Sequence, residues 1–214
     1  MKNTTNNPMK IDMPNYINIL QSELKWLELM FIIRMYDSSV VLSEYTSKEI
    51  TENYNDLLAS QNIEYTEAFP PKPEPTISMY SNLIVTNSLS FDERLLLALA
   101  IAPHLQPDFL FTMFHRQLPQ GKSLYKINET GGIQGENYRG IIPTGLTFLY
   151  IAAGNNFFKR LQTLQLLMAK NSILFTQNII DLPINTQNDP VAATPITIHQ
   201  AYLQVLVTNE LKYK

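Results

Sequence analysis

The sequence predicts a mainly helical protein with a small β ribbon, an α+β fold in which a main domain follows an N-terminal helical arm. Apolar residues recur at three- and four-residue steps through most of the chain, which is the helical pattern. Two short segments near the C-terminus favour β structure and flank a polar turn. Four prolines in six positions, residues 70–75, divide the chain. We therefore expect a disordered lead (1–13), the arm (14–69), a Pro-rich linker (70–76) and the main domain (77–211).

The arm begins with a strongly apolar helix. Pro14 suits the first turn of a helix, and large apolar residues follow it at helical spacing. These residues are Ile17, Leu20, Leu24, Leu27 and Phe31. Trp26, Met30, Phe31 and Ile33 make the apolar face wider than one contact can cover, so we expect them to form a protein interface. The helix either folds back on the main domain or pairs with a second copy or another protein.

Capping residues mark the starts of two further helices. Ser47 is the expected N-cap of a helix over residues 47–60. Its inner face is Ile50, Tyr54, Leu57 and Leu58. Ser90 and Glu93 form a capping box, and the run 94–102 is apolar on nearly every side, so we expect this helix at the centre of the domain. The residues expected to end it are Pro103 and Pro107.

The C-terminal half combines helices with two β segments. The expected helices cover residues 108–115, 148–153 (capped by Thr144 or Thr147), 156–169 and 201–211. The third of these has one apolar face made of Phe158, Leu161, Leu164 and Met168. The β segments are residues 173–182 and 194–199, joined by a polar turn at 185–190.

Three helices followed by a two-stranded ribbon outline a winged-helix-like domain. The usual function of that fold is DNA binding through the third helix, which here covers residues 147–153. That segment has no cationic or amide side chain that could contact base edges. We therefore expect it to be core or a protein contact.

A glycine-rich loop precedes that helix. Five of the seven glycines of the chain lie within residues 129–145. Glycine permits positive φ and close backbone approach, so we expect a shaped structural loop with positive φ at Gly132 or Gly135. The residues assigned to it are Gly131, Gly132, Gly135, Gly140, Pro143, Thr144 and Gly145. Glu129 and Glu136 flank the glycine loop together with Arg139, which favours a salt bridge that closes the loop.

A second loop ends like a phosphate-binding loop but lacks its other features. Gly121, Lys122 and Ser123 match the end of that motif. Arg116 stands where the motif needs its first glycine, and Pro119 has no N–H to offer a phosphate. We therefore expect no nucleotide and no other cofactor at either loop.

Composition and titratable residues favour no catalytic centre. His104, His115 and His199 have no metal-ligand spacing, and no nucleophile elbow occurs, so we assign no catalytic residue and no metal. The net charge of −3 without a basic stripe argues against a nucleic-acid partner. Charged residues make up 16% of the chain, against about a quarter usually, which favours a surface partly covered by partners. No apolar segment has the length of a signal core or membrane span, so we expect a cytoplasmic protein.

Two segments carry distinctive motifs. Residues 89–107 carry a serine, phenylalanine, acidic, glutamate, arginine and leucine-rich helix that ends in Ala102, Pro103 and His104. Residues 130–154 carry Thr-Gly-Gly-Ile-Gln-Gly, Arg-Gly-Ile-Ile-Pro-Thr-Gly and a final Ala-Gly. Both segments resemble the N-terminal region of AAA+ ATPases encoded with phage-tail-like contractile injection systems, and the resemblance covers about residues 14–211.

The resemblance implies a winged-helix-like region that precedes an ATPase module. No Walker A, Walker B or arginine finger carries over, and Leu146 stands where the family's loop has a glutamate. The chain is then either a fragment of a longer ATPase or a stand-alone version of its front domain. The implied function is a non-catalytic interaction or assembly module. Its partners would be an AAA+ ATPase module, in cis or in trans, and injection-system components, with homo-oligomerisation possible. The alternatives are a winged-helix DNA-binding regulator and a small enzyme that uses the glycine loop.

Overall fold

The computed structural model describes residues 15–65, 68–116, 118, 130–135, 137–183 and 189–210, and it confirms the mainly helical class. The helices are α1 (Asn15–Tyr36), α2 (Ser47–Ser60), α3 (Met79–Thr86), α4 (Phe91–Leu105), α5 (Phe109–His115), α6 (Gly145–Ala153), α7 (Phe157–Ala169), α8 (Ile173–Thr176) and α9 (Gln200–Thr208). Among the described residues, 3₁₀ turns cover Leu42–Glu44 and Val191–Ala193. The predicted lead, residues 1–13, lies outside the described residues.

Two antiparallel sheets of two strands complete the fold. Strand β1 (Ile133–Gln134) pairs with β2 (Ile141–Ile142), with Ile133 opposite Ile142. Strand β3 (Ile180–Asp181) pairs with β4 (Thr197–Ile198), with Ile180 opposite Ile198. The second pair lies inside the predicted β segments. The start of the first segment was wrong, because the Ser172 hydroxyl accepts a hydrogen bond from the Leu174 N–H and begins helix α8 there.

Helix α1 lies in the centre of the protein rather than in a separate arm. It contacts α3, α4, α5 and α6, and one hydrophobic cluster runs from Leu20 to Leu206. The proposed interface residues Trp26, Met30, Phe31 and Ile33 are all completely buried in that cluster. Assigning them to an intermolecular interface was therefore wrong. A helix that is apolar on every side needs neighbours on every side, and here other helices of the same chain provide them.

The linker segment is packed against the helices and does not separate two domains. Phe69 and Pro71 are buried, and the Arg94 guanidinium donates to the carbonyl of Pro71 over 2.7 Å. Arg94 also forms a buried ion pair with Glu23, which accepts a hydrogen bond from the Tyr80 hydroxyl at 3.0 Å. This network joins α1, α3, α4 and the proline-rich segment. The structure therefore has no domain boundary at residues 70–76, where the sequence predicted one.

Local sequence signals set most helix ends. Ser90 and Glu93 form the predicted capping box of α4. For α2 the N-cap is Thr46 rather than Ser47, since Glu49 lies three residues after Thr46 and completes the box. The Ser47 hydroxyl instead accepts from the Phe69 N–H at 2.6 Å. Helix α4 also continues past Pro103, its expected end, to Leu105.

A second buried cation fastens the ends of α1 and α6. The Arg34 Nε donates to the carbonyl of Ile151 at 3.0 Å, and its Nη1 donates to the carbonyl of Ser38 at 3.0 Å. Burial lowers the pKa of Arg34 to about 10. Gly154 has a φ of +50° and lies against this guanidinium, where an added Cβ would overlap it.

One further property concerns membranes. In the part of the chain that the structure describes, no single helix has both the length and the apolarity of a membrane span. Helices α4 and α5 reach that length and apolarity only when they are taken together, and the angle between them is 103°.

Candidate functional site

The glycine loop is built around the N-terminus of α6. Thr144 caps this helix together with Thr147, so both predicted capping residues take part. The Thr144 hydroxyl also accepts a hydrogen bond from the Gly132 N–H at 3.1 Å. The φ angles are +64° at Gly131 and +95° at Gly132, which confirms the prediction for Gly132. Gly135, the other residue offered for a positive φ, has none, and Gly131 was not singled out.

Close packing explains the remaining loop residues. A Cβ on Gly140 would lie 2.6 Å from the Pro107 carbonyl oxygen, and a Cβ on Gly145 would lie 2.8 Å from that of Ala192. The Pro143 carbonyl accepts a hydrogen bond from the Ile196 N–H at 2.8 Å. The loop is therefore a joint between the β1–β2 hairpin, α6 and the segment that leads into β4.

Some predicted features of the loops fall outside the described residues. These are Glu129 and Glu136, the acidic members of the expected salt bridge, and the Gly121, Lys122 and Ser123 that resemble a phosphate-binding loop. Arg139, the cationic member, is exposed. It borders a cavity of about 290 Å³ that is lined mainly by Phe111, Phe114, Gly132 and Ile141.

The three histidines lie apart, each at a helix end. His104 and His115 are in the last turns of α4 and α5. The ring of His115 stacks on Phe111 with 4.0 Å between ring centres, and its Nδ1 lies 2.8 Å from the Phe111 carbonyl. His199 caps α9, where its Nδ1 accepts from the Ala201 N–H. Among the described residues, no three His, Cys, Asp or Glu side chains group in a way that could hold a metal ion.

Helix α6 corresponds to the third helix of the predicted domain, and it is core. Thr147, Phe148, Ile151 and Ala153 are completely buried. The helix contacts α1, α4 and α7. Of the two expectations for this segment, core or protein contact, the structure supports core.

Helix α7 carries a prominent exposed apolar surface. Phe157 is 80% exposed, Phe158 69%, Met168 59% and Leu161 45%. Phe157, Leu161, Leu164 and Met168 recur at steps of four, three and four residues, so they form one stripe along the helix. We name these four residues the α7 seam; Phe157, Leu161 and Met168 are exposed, and Leu164 is partly buried. The side of α7 that faces the protein instead carries Thr163 and Leu167, both completely buried.

Sequence reasoning found most of this surface but not its exposure. It grouped Phe158, Leu161, Leu164 and Met168 on one face and missed Phe157. The Asn156 side chain accepts from the Lys159 N–H, which makes Phe157 the first helical residue and aligns it with the seam. The sequence did contain a signal for Phe157, because it lies four residues before Leu161 and so falls on the same helix face.

A further exposed apolar side chain lies in a turn that contacts α7, and the cations of α7 are engaged. Val191, 48% exposed, lies in the 3₁₀ turn that contacts α7. Lys159 pairs with Asp92 at 2.8 Å, and Arg160 donates to the carbonyl of Gly154 at 2.9 Å. The cations of α7 nearest the seam are thus engaged within the chain.

Comparisons of this chain with protein-family models, curated proteins and solved structures gave no match.

Proposed function

We propose that this chain is a non-catalytic interaction or assembly module of a cytoplasmic AAA+ ATPase linked to a contractile injection system. The observation that carries the proposal is the exposed α7 seam. The resemblance of residues 89–107 and 130–154 to the front region of such ATPases supplies the class of partner. In this proposal the winged-helix-like fold, with α1 built into its core, acts as a protein-binding scaffold.

An exposed apolar helix face favours a docking role on physical grounds. Two phenylalanines more than two-thirds exposed on adjacent positions are unfavourable in water, and contiguous apolar patches mark interaction sites. Anchors spaced along one helix face are a common mode of helix recognition. The seam therefore suits a helix or groove of a partner protein.

The DNA-binding alternative receives less support. A winged-helix regulator contacts base edges with the third helix, but the corresponding helix α6 is buried beneath α7. The α7 seam itself offers aromatic and aliphatic groups rather than the cations that contact phosphates.

Binding to the ATPase tests the proposal. The chain is titrated against a purified AAA+ ATPase from the same injection-system gene cluster, and binding is followed by calorimetry. We expect binding that Leu161→Glu weakens at least tenfold. The matched control is Phe111→Glu on α5, because Phe111 is also exposed, at 49%, but lies off the seam. If the wild-type chain binds neither this ATPase nor the baseplate proteins of the same cluster, the proposed function is wrong.

A further inference from the structure

We infer that the α7 seam pairs with the α7 seam of a second copy of this chain, with the two helices antiparallel. The inference deepens the proposed assembly function and rests on it: the seam joins two copies of the free chain, and the ATPase binds by displacing the second copy from the same seam.

Charge favours a second copy as the occupant. Helix α7 contains no acidic residue, and its exposed neighbours beside the seam include the neutral Gln162 and Gln165. The cations Lys159 and Arg160 are held by Asp92 and by the carbonyl of Gly154. Two identical faces of this kind meet without like-charge repulsion, whereas a strongly charged partner would find few free groups to pair with.

The available area reaches the size that a specific dimer needs. The seam with Phe158 and Val191 exposes on the order of 600 Å² of apolar side chain per copy, as expected for two largely exposed aromatic rings and four smaller groups. Complete burial of this surface in two copies would remove at most about 1,200 Å², the lower limit of standard interfaces. We therefore expect a dissociation constant in the micromolar range.

The order of residues along the seam favours the antiparallel arrangement. A two-fold axis between Leu161 and Leu164 sets Phe157 of one copy against Met168 of the other, and each leucine against the other leucine. Thioether and aromatic groups attract one another. Antiparallel helices also set each helix dipole against the opposite end of its neighbour. Parallel pairing would place Phe157 on Phe157 and align the two dipoles.

Sedimentation of the chain alone, without any ATPase, tests self-association. We expect a monomer–dimer equilibrium that Leu161→Glu shifts at least tenfold toward monomer, because two carboxylates would meet in an apolar contact. Met168→Lys, at the other end of the seam, should shift it similarly. Phe111→Glu should leave it unchanged, and circular dichroism checks that each variant is folded. A wild-type chain that stays monomeric at several hundred micromolar overturns the inference, as does a dimer that both seam variants leave intact.

Disulfide formation tests the orientation, because the chain has no cysteine and gives no background. Phe157→Cys and Met168→Cys proteins are oxidised separately and as a mixture. Antiparallel pairing predicts a crosslinked dimer mainly in the mixture. Rapid crosslinking of Phe157→Cys with itself overturns the arrangement. The outcome is separate from that of the proposed function: a monomer that binds the ATPase refutes the pairing alone, and a dimer that does not bind it refutes the docking role alone.

Discussion

Gly131 is the residue on which the geometry of the glycine loop depends most. Its φ of +64° is unfavourable for any residue with a side chain, and an added Cβ would lie 2.5 Å from the Thr144 hydroxyl and 2.9 Å from the Thr147 nitrogen. These two groups cap α6, so a shift there disturbs the start of a buried helix.

We expect Gly131→Ala to lower the free energy of unfolding by about 2 kcal/mol or more, through backbone strain and displaced capping groups. Gly135→Ala is the control, since Gly135 has no positive φ and an added Cβ there would meet the side chains of Ile142 and Tyr138 at 3.2 Å. Urea denaturation measures both. Equal stability of the two variants would show that the loop does not hold the α6 cap.

Glu93 provides a test by pH. Its carboxylate accepts hydrogen bonds from the Ser172 hydroxyl at 2.5 Å and from the Ser90 N–H at 2.8 Å. Burial by itself would raise the pKa of Glu93, but these hydrogen bonds outweigh burial and lower it below 4.5. The stabilisation from ionised Glu93 is therefore present above pH 4.5 and is lost as the pH falls through the lower folded pKa.

We predict that Glu93→Gln lowers the melting temperature at pH 7 and that the difference from wild type shrinks toward pH 3. Thermal melts across this range measure it. Glu52→Gln is the control, because the Glu52 side chain is 61% exposed and pairs with the exposed Lys48. If the melting temperatures of Glu93→Gln and wild type differ by the same amount at every pH, the stabilisation does not come from the carboxylate charge.

At the scale of elements, the buried pair Glu23 and Arg94 connects α1 to α4. The two side chains are 4% and 6% exposed, so each charge depends on the other. We expect Glu23→Gln to cost about 3 kcal/mol, because it leaves the Arg94 charge buried without a counter-ion. The control is Glu28→Gln, which breaks a pair of 21% and 31% exposed side chains and should cost about 1 kcal/mol or less. Chemical denaturation compares them, and similar losses would contradict a tightly coupled pair.

Elements defined by local signals could be predicted from the sequence. The Ser90 capping box, the Thr144 cap and the apolar period of α2 depend on residues within one or two helical turns, and all three occur as expected. Helix α8 was read as a strand because its four residues have no helical period that a sequence could show.

Two properties of the candidate site could not be predicted, because they depend on tertiary contacts. The sequence of α7 shows an apolar stripe, which is the face expected to be buried. The opposite side can be buried instead, because the Thr163 hydroxyl donates a hydrogen bond to the Lys159 carbonyl at 2.8 Å. The helix therefore turns Thr163 and Leu167 inward, and it leaves most of the stripe exposed and Leu164 partly buried. Likewise, the wide apolar face of α1 could be covered in cis or in trans, and pattern alone does not distinguish these.

At the scale of the whole molecule, one hydrophobic cluster joins the described residues on both sides of the proline-rich segment 70–76. We therefore expect that the part after this segment cannot fold without the part before it. A chain that begins at Thr76 lacks α1, with seven completely buried apolar side chains from Trp26 to Ile33. We expect the shortened chain to show no cooperative thermal transition and the full chain to show one. The reason is that removal of α1 would expose the surfaces of α4 and α6 that α1 covers. A cooperative melt of the shortened chain would restore the separate-arm interpretation.

The central claim is that the α7 seam is where this protein meets other proteins. Hydroxyl-radical footprinting with mass spectrometry tests it in one experiment, because Phe157, Phe158 and Met168 are exposed and reactive, and Phe111 is an exposed reference off the seam. The labelling of each residue is measured on the dilute chain, the concentrated chain and the chain with the AAA+ ATPase. We predict that association lowers labelling at the three α7 residues severalfold and leaves Phe111 unchanged. Protection of Phe111 with full labelling of α7 in the associated states would contradict the account.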